Sequence, residues 1–492
     1  CKTLATSILG ASLFRCSSGR SKPNLLFIWT DQQRADTMAI YGNKIIRTPN
    51  LNKLASESIV FEKAYVSQPV CTPSRSTVMT GLWPHTNGCT ANNIPLSESI
   101  PCFPELMNDP DYRTGYFGKW HLGDEIYRQH GFDEWEAIED QYIKFYSDSR
   151  DINDRSSYHH FLLDQGHEPD TNENIFSRNF VSNLAFEHSK PKFLEAKACR
   201  FLERHRNDPF ILYVNFLEPH SPYNGPFNNF HDPEKIVLPE NVENSFHEDD
   251  PLRYRLLQAK YRRSHKAWQN LTAKYYGLVS EVDQSVGKIL MTLEHLGLAE
   301  NTIVVFTSDH GDMMGSHNLL AKTVMYEEAV RVPLLMRVPW LNRRHALIKE
   351  RVSHIDLVPT LLDLMNHKNS GMLPGNRLVE RIGNSELRNS PVFIEWNPNH
   401  LQKFSKQAPD SIESVSKQDR ERVASARIRT VISPDGWKLS LSDHDKNQLF
   451  DLNKDPWETR NLYYTGQYAG VIHRLTKSIV NWQQDVNDES II

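Results

Sequence analysis

Asn24-Leu25-Leu26-Phe27-Ile28-Trp29-Thr30, followed at once by Asp31-Gln32-Gln33-Arg34, is the stretch from which the fold is read. A continuous uncharged run with no polar alternation predicts a strand buried on both faces. Pro209 to Phe216 (PFILYVNF) and Thr302-Ile303-Val304-Val305-Phe306-Thr307 repeat the pattern. Helical patterns lie between them. Thr48-Pro49 reads as an N-cap and N1 pair leading into Leu51, Leu54 and Ala55. From Ala273 to Leu296, the residues Val279, Val282, Val286, Ile289, Leu290 and Leu293 share one face, and Gly297 ends the run. His354 to Leu364 supplies a further helix. Strands alternating with helices predict an α/β fold, a large and mostly parallel sheet flanked by helices.

Residues 366–390 are polar and rich in Gly and Asn, and read as a linker. Beyond them lie short strand-like runs at Val392 to Trp396, Arg429 to Ile432 and Trp437 to Leu441, then a terminal helix from about residue 468 to 484. These predict a smaller C-terminal α+β domain docked on the first, with 399–421 as a mobile, charged insertion. The expected division is a short leading segment at 1–22, a larger α/β domain at 23–370 and the smaller domain at 371–492.

With 56 basic and 61 acidic residues the chain carries a formal charge of −5. It has no global attraction for nucleic acid, so an anionic substrate needs a local basic pocket. No apolar run is long enough to cross a bilayer. The basic run Arg253, Arg255, Lys260, Arg262, Arg263 and Lys266 reads as a solvated helix face rather than a polyanion site. Six cysteines (1, 16, 71, 89, 102 and 199) are too sparse for a disulfide framework. Cys89 and Cys102 are the nearest candidates for a pair, and two free thiols are the alternative. Lys2 followed by an apolar stretch from Leu4 to Phe14 reads as an export segment, and Cys1 also suits a lipid anchor. The expected location is therefore periplasmic, cell-surface lipid-anchored or secreted.

The chemistry centres on Cys71-Thr72-Pro73-Ser74-Arg75, with Thr80-Gly81 a little later. Pro73 disfavours helix at Thr72, so a helix is expected to begin just after the cysteine and to aim its N–H groups back at position 71. Such a terminus attracts anions, and Arg75 adds a permanent cation. At the carboxyl ends of parallel strands, where ligands gather, Asp31-Gln32 and Ser308-Asp309-His310-Gly311-Asp312 are expected to meet. Oxygen donors with one imidazole favour Ca²⁺ or Mg²⁺.

The five residues from Cys71 to Arg75, with Thr80-Gly81, resemble the type I sulfatase signature of the alkaline phosphatase superfamily. In that family the cysteine is oxidised to formylglycine by a formylglycine-generating enzyme, and the aldehyde hydrate is the nucleophile. The resemblance implies a metal site of Asp31, Gln32, Cys71, Asp309 and His310, holding one Ca²⁺ with Mg²⁺ as the alternative. Gln32 departs from the two consecutive acids of many sulfatases and is similar to the phosphonate monoester hydrolases. Gly115-Tyr116-Phe117-Gly118-Lys119-Trp120-His121 resembles the second sulfatase motif, so Lys119 and His121 are expected beside the sulfate. Glu218-Pro219-His220-Ser221-Pro222 resembles the segment whose histidine protonates the leaving oxygen. Lys322 matches the sulfate-binding lysine, and His317 receives no role.

The catalytic set implied by the resemblance is Cys71, Arg75, Lys119, His121, His220 and Lys322. The expected substrate is a sulfated carbohydrate or an aryl sulfate. The alternatives are a phosphonate or phosphate diester hydrolase with the same nucleophile, and a non-catalytic binder of sulfated glycans. Loops 124–175, 222–265 and 397–425 are expected to set specificity.

Overall fold

A computed structural model of the chain describes residues 22–142, 147, 150–151, 153–341, 345–367, 373–378, 390–398 and 415–490. Nine strands form the main sheet: β1 (Asn24–Thr30), β2 (Ile59–Tyr65), β3 (Arg113–Gly118), β4 (Glu134–Glu136), β5 (Phe210–Phe216), β6 (Thr302–Ser308), β7 (Arg331–Val332), β8 (Leu334–Arg337) and β9 (Ala346–Ser353). Their order is β4-β3-β5-β1-β6-β8-β2-β7, with β9 also on β2. The pairs around β1 are parallel, and β8 and β7 are the antiparallel members.

Strand β1 lies between β5 and β6, so it is covered on both faces as its continuous apolar run predicts. Leu25, Phe27 and Trp29 face one layer with Val78, Met79, Leu357 and Leu361. Leu26 and Ile28 face the other with Leu54, Phe201, Val282 and Val286. The register sets Thr30 opposite both Phe216 and Ser308, and Gly118 opposite Asn215. The carboxyl ends of four strands therefore open on one edge.

A separate antiparallel sheet holds β10 (Val392–Trp396), β11 (Ile428–Ile432), β12 (Trp437–Ser442) and β13 (Gln448–Asp451). The helix Ala469–Val486 packs Leu475 and Ile479 onto Val431, Leu439 and Leu449 of that sheet. The backbone N–H of Glu395 donates to Ser67 O at 2.8 Å, and its carboxylate receives the N–H of His85 at 3.0 Å. The two sheets thus meet beside the loop that leads into position 71.

Several sequence expectations need correction. Thr48 stands at the N-cap of the helix Pro49–Ser56, but its hydroxyl caps nothing. Asp283, from the long helix His265–His295, takes the N–H groups of Asn50 and Leu51 instead, at 3.3 and 2.7 Å. Cys89 and Cys102 are both buried free thiols rather than a pair. In the basic run, Lys260, Arg262, Arg263 and Lys266 are exposed, but Arg253 is buried. Its guanidinium donates to Thr323 O and lies 4.2 Å over the Trp396 ring. Part of the supposed linker is packed: the Asn376 N–H donates to Asp356 at 2.6 Å, and Leu378 is in the core. The export segment and most of the 399–421 insertion lie outside the described residues; Lys417–Ala424 is a short helix. No helix among the described residues is long and apolar enough to cross a membrane.

Candidate active site

The helix Cys71–Thr80 begins at the cysteine itself rather than just after it, because Pro73 occupies the third helical position, where its missing N–H costs nothing. Gly81, at φ 70°, closes the helix through its N–H to Thr77 O at 2.8 Å. All ten residues are buried although most are polar, so each polar group needs a partner. Ser76 and Thr80 bond back to Pro73 O and Ser76 O, both at 2.7 Å. Thr77 meets Ser67 at 2.8 Å, and Ser74 donates to the carbonyl of Asp309. The helix is thereby tied to the end of β6.

Around Cys71 Sγ the strand ends converge. His310 Nε2 and Lys322 Nζ each lie 3.3 Å away, and Lys119 Nζ and Asp31 Oδ1 each 3.9 Å. Arg75 forks beneath them, giving Nε to Asp309 Oδ2, Nη2 to Asp31 Oδ2 and Nη1 to Lys119 O, each at 2.9 Å. Lys119 Nζ reaches Asp31 Oδ2 at 2.5 Å. The structure thus brings together Asp31, Cys71, Arg75, Lys119, Asp309, His310 and Lys322.

The charges shape the titration. Burial and the Asp31 charge push the Cys71 thiol up, but Lys119, Lys322 and His310 more than offset them and leave it at about 7. Burial would raise Asp31, yet Lys119, His220, Arg75 and Lys322 hold it well below the usual carboxylate range. Burial and Lys322 keep His220 well below the ordinary imidazole value, and burial with Lys119 does the same to His121.

The residues fit a hard divalent cation. Each aspartate spends Oδ2 on Arg75 and keeps Oδ1 toward His310 Nε2, at 3.7 Å from Asp31 and 3.5 Å from Asp309. His310 Nδ1 lies 2.9 Å from Gly311 O, a bond that leaves Nε2 as a lone pair facing the carboxylates. One ligand atom from each of Asp31, Cys71, Asp309 and His310 lies within 4.8 Å of the others. Gln32 adds a carbonyl oxygen at the same edge, engaged at 2.6 Å by Lys322 Nζ. Its left-handed backbone, φ 73°, is held by the Asp309 carboxylate on its N–H at 3.0 Å.

Asp312, quoted in the second strand-end cluster but given no role there, and further residues that the sequence did not reveal support this set. Asp312 accepts from Gln32 Nε2 and from Tyr223 Oη, at 2.5 and 2.6 Å. Glu125 takes the N–H groups of Trp120 and His121 at 2.8 and 2.7 Å. Asn93 meets His121 Nε2 at 2.8 Å, and Tyr142 stacks on that ring at 4.5 Å. Asn93, Glu125, Tyr142 and Tyr223 are common loop types without a motif; only the fold aims them. His220 Nδ1 bonds the Ser221 carbonyl at 2.8 Å. His317 stacks on Tyr326 at 4.0 Å, away from the cluster.

The sulfatase family model matches residues 23–367, a span that takes in every residue of the site just described and none of the C-terminal sheet. The chain belongs to the sulfatase family. It is a sulfuric ester hydrolase with the large α/β fold of the alkaline phosphatase superfamily. This sulfatase is 30% identical over 380 residues to an ulvan-active sulfatase of Formosa agariphila, a match spanning 74% of this chain and 66% of that protein. It is 24% identical over 557 residues to an N-acetylglucosamine-6-O-sulfatase of Bacteroides thetaiotaomicron, spanning 99% and 91%. Among solved structures, a phosphonate monoester hydrolase of Agrobacterium radiobacter superposes with a TM-score of 0.76 at 21% identity, covering 94% of this chain and 96% of that one.

Proposed function

We propose that this sulfatase removes sulfate from a sugar or polysaccharide fragment, using residue 71, oxidised to formylglycine, and one divalent cation, Ca²⁺ in preference to Mg²⁺. The observation that carries the reading is the buried Cys71 Sγ, met within 4 Å by His310, Lys322, Lys119 and Asp31. In this reading the sulfur marks where the nucleophilic oxygen of the oxidised side chain would stand. Asp31, Gln32, Asp309 and His310 would hold the cation, which withdraws charge from the sulfuryl oxygens and lowers the pKa of the nucleophile.

The chain's own residues do the rest. Arg75, Lys119 and Lys322 are preorganised cations in a dry pocket, where charge developing on the transferred group is stabilised most strongly. His121, gripped at Nε2 by Asn93, keeps Nδ1 as a buried acceptor without a partner among the described residues. It takes the proton released at residue 71. His220 has its Nδ1 committed to Ser221 O, so Nε2 is the atom that carries a proton to the leaving oxygen. An arriving anion offsets the Lys322 charge that, after burial, holds the pKa of this ring down.

The sulfated-sugar assignment rests on the named activities of the relatives from Formosa and Bacteroides. Export, maturation by a formylglycine-generating enzyme, and a division into catalytic 23–370 and C-terminal 371–492 parts belong to the same proposal. Gln32 supports a second reading, hydrolysis of a phosphonate or phosphate diester, since the hydrolase from Agrobacterium shares the fold. The mass of the tryptic peptide containing residue 71, from protein made beside a formylglycine-generating enzyme, tests the nucleophile. An unmodified thiol moves a sulfated-glycan binder to the front. Initial rates on 4-nitrophenyl sulfate and on a phenyl phosphonate monoester separate the two hydrolases.

A further inference from the structure

Next to His220 lies a small cavity of about 20 Å³, bounded among others by Leu217, Glu218, His220, Lys190, Asn224 and Glu281. That is room for one water or one hydroxyl group. Glu281 comes from the long helix His265–His295 and is 1% exposed. Its Oε1, and Oε2 of Glu218, have no hydrogen-bond partner among the described residues. An unsatisfied buried acceptor costs about 1–3 kcal/mol, so a donor is expected there. Gly225 keeps the space open: a Cβ at that position would stand 2.7 Å from Leu278 Cδ2 and 3.1 Å from Glu281 Oε2.

The cations in the wall are already committed. Lys190 Nζ donates to Glu139 Oε1 at 2.7 Å, and Arg178 forks onto the same carboxylate. Ser189 engages the Glu281 carboxyl, and Glu281 Oε1 and Glu218 Oε2 are left as acceptors without a partner among the described residues. Burial raises Glu218 to about 7 and Glu281 well above the usual carboxylate range, the charge of Glu218 adding to the latter. Burial disfavours a second charge on this pair, and a neutral hydroxyl supplies the missing donor without bringing one. An ammonium group would meet the charges of Lys190 and Arg178.

We infer that Glu218 and Glu281 form a leaving-group subsite that takes one hydroxyl of a sugar, a neighbour of the sulfated position. The inference rests on His220 as the residue that meets the leaving oxygen. It separates a sugar from a plain aryl leaving group, which has no hydroxyl to offer.

The test compares matured wild type with Glu281→Leu and the near-isosteric Glu281→Gln. The substrates are 4-nitrophenyl sulfate, the monosulfates of galactose and N-acetylglucosamine, and monodeoxy analogues lacking the hydroxyl next to the sulfate. We expect the sugar-to-aryl ratio of kcat/KM to fall about 10–100-fold in Glu281→Leu and less in Glu281→Gln, with wild type and variants converging on the deoxy sugar. An unchanged ratio, or turnover of the aryl ester with none of the sugars, overturns the subsite. If Glu281→Leu does not fold, the ratio in Glu281→Gln and the deoxy comparison in wild type decide. Failure of matured wild type on every sulfate would instead overturn the sulfatase mechanism on which the subsite rests.

Discussion

Arg75 and Asp309 form an ion pair with neither side chain exposed, Nε to Oδ2 at 2.9 Å, and the same guanidinium bridges to Asp31. One side chain from the nucleophile helix therefore ties the ends of β1 and β6 together. Removing one partner from a buried pair strands the other charge, at a cost of about 3–5 kcal/mol. Arg75→Ala is expected to lower the thermal midpoint clearly. Arg75→Lys keeps the charge but cannot fork to two carboxylates, so it should fold better and still lose at least about 100-fold in kcat. A Lys variant with full turnover would contradict the fork's role.

Cys71→Ala should retain the fold, because the thiol contributes little packing beyond its polar contacts. Turnover of every sulfate ester should vanish. The far-ultraviolet circular dichroism and the melting midpoint check the first statement, and residual rate at high enzyme concentration checks the second.

Chelation is the third test. Dialysis against EDTA should abolish turnover and lower the thermal midpoint, since Asp31 and Asp309 then face each other without the cation. Adding back Ca²⁺ to 100 times its Kd should restore about 2.7 kcal/mol. Asp309→Asn should shift that titration to higher cation concentration. A midpoint indifferent to EDTA and Ca²⁺ would remove the ion from the site.

His85 and Glu395 give a pH prediction at the contact between the two sheets. Burial lowers the His85 pKa, but the Glu395 hydrogen bond at 2.7 Å and its charge outweigh burial and leave it raised. A raised folded value means stability fully present below the unfolded imidazole value near 6.5. That stability is lost as pH rises through the folded value. The melting midpoint of wild type should fall over this window more steeply than that of His85→Gln, whose profile should be flatter.

Gly118 ends β3 at φ 123°, and a Cβ there would stand 1.9 Å from the carbonyl oxygen of Asn215. Gly118→Ala must push β3 away from β5 and displace Lys119. A loss of more than about 2 kcal/mol is expected from thermal unfolding, together with reduced kcat.

The strands that carry the site were the legible ones. β1, β5 and β6 are buried on both faces and announce themselves as unbroken apolar runs. β2 did not, because Glu62 and Lys63 interrupt it, and β3 carries two glycines within six residues. The residues of the pocket were legible through motifs, since Cys71, Asp31, Asp309, His310 and Lys322 each fall in a recognisable pattern. Asn93, Glu125 and Tyr223 were not, because their roles exist only once distant loops meet. Glu281 was hidden for a related reason: on a helix wheel it is one more polar position, and only the turn at Gly225 shows that it faces inward.

The central place of β1 also sets a timetable. Neither of its neighbours exists until the ribosome has passed Phe216 and then Ser308. At about 5–20 residues per second, the stretch from Cys71 to Ser308 takes on the order of 10–50 s to make. For that interval Cys71 has no pocket to enter, and any enzyme that modifies it has its access then; once β6 docks, the sulfur is enclosed.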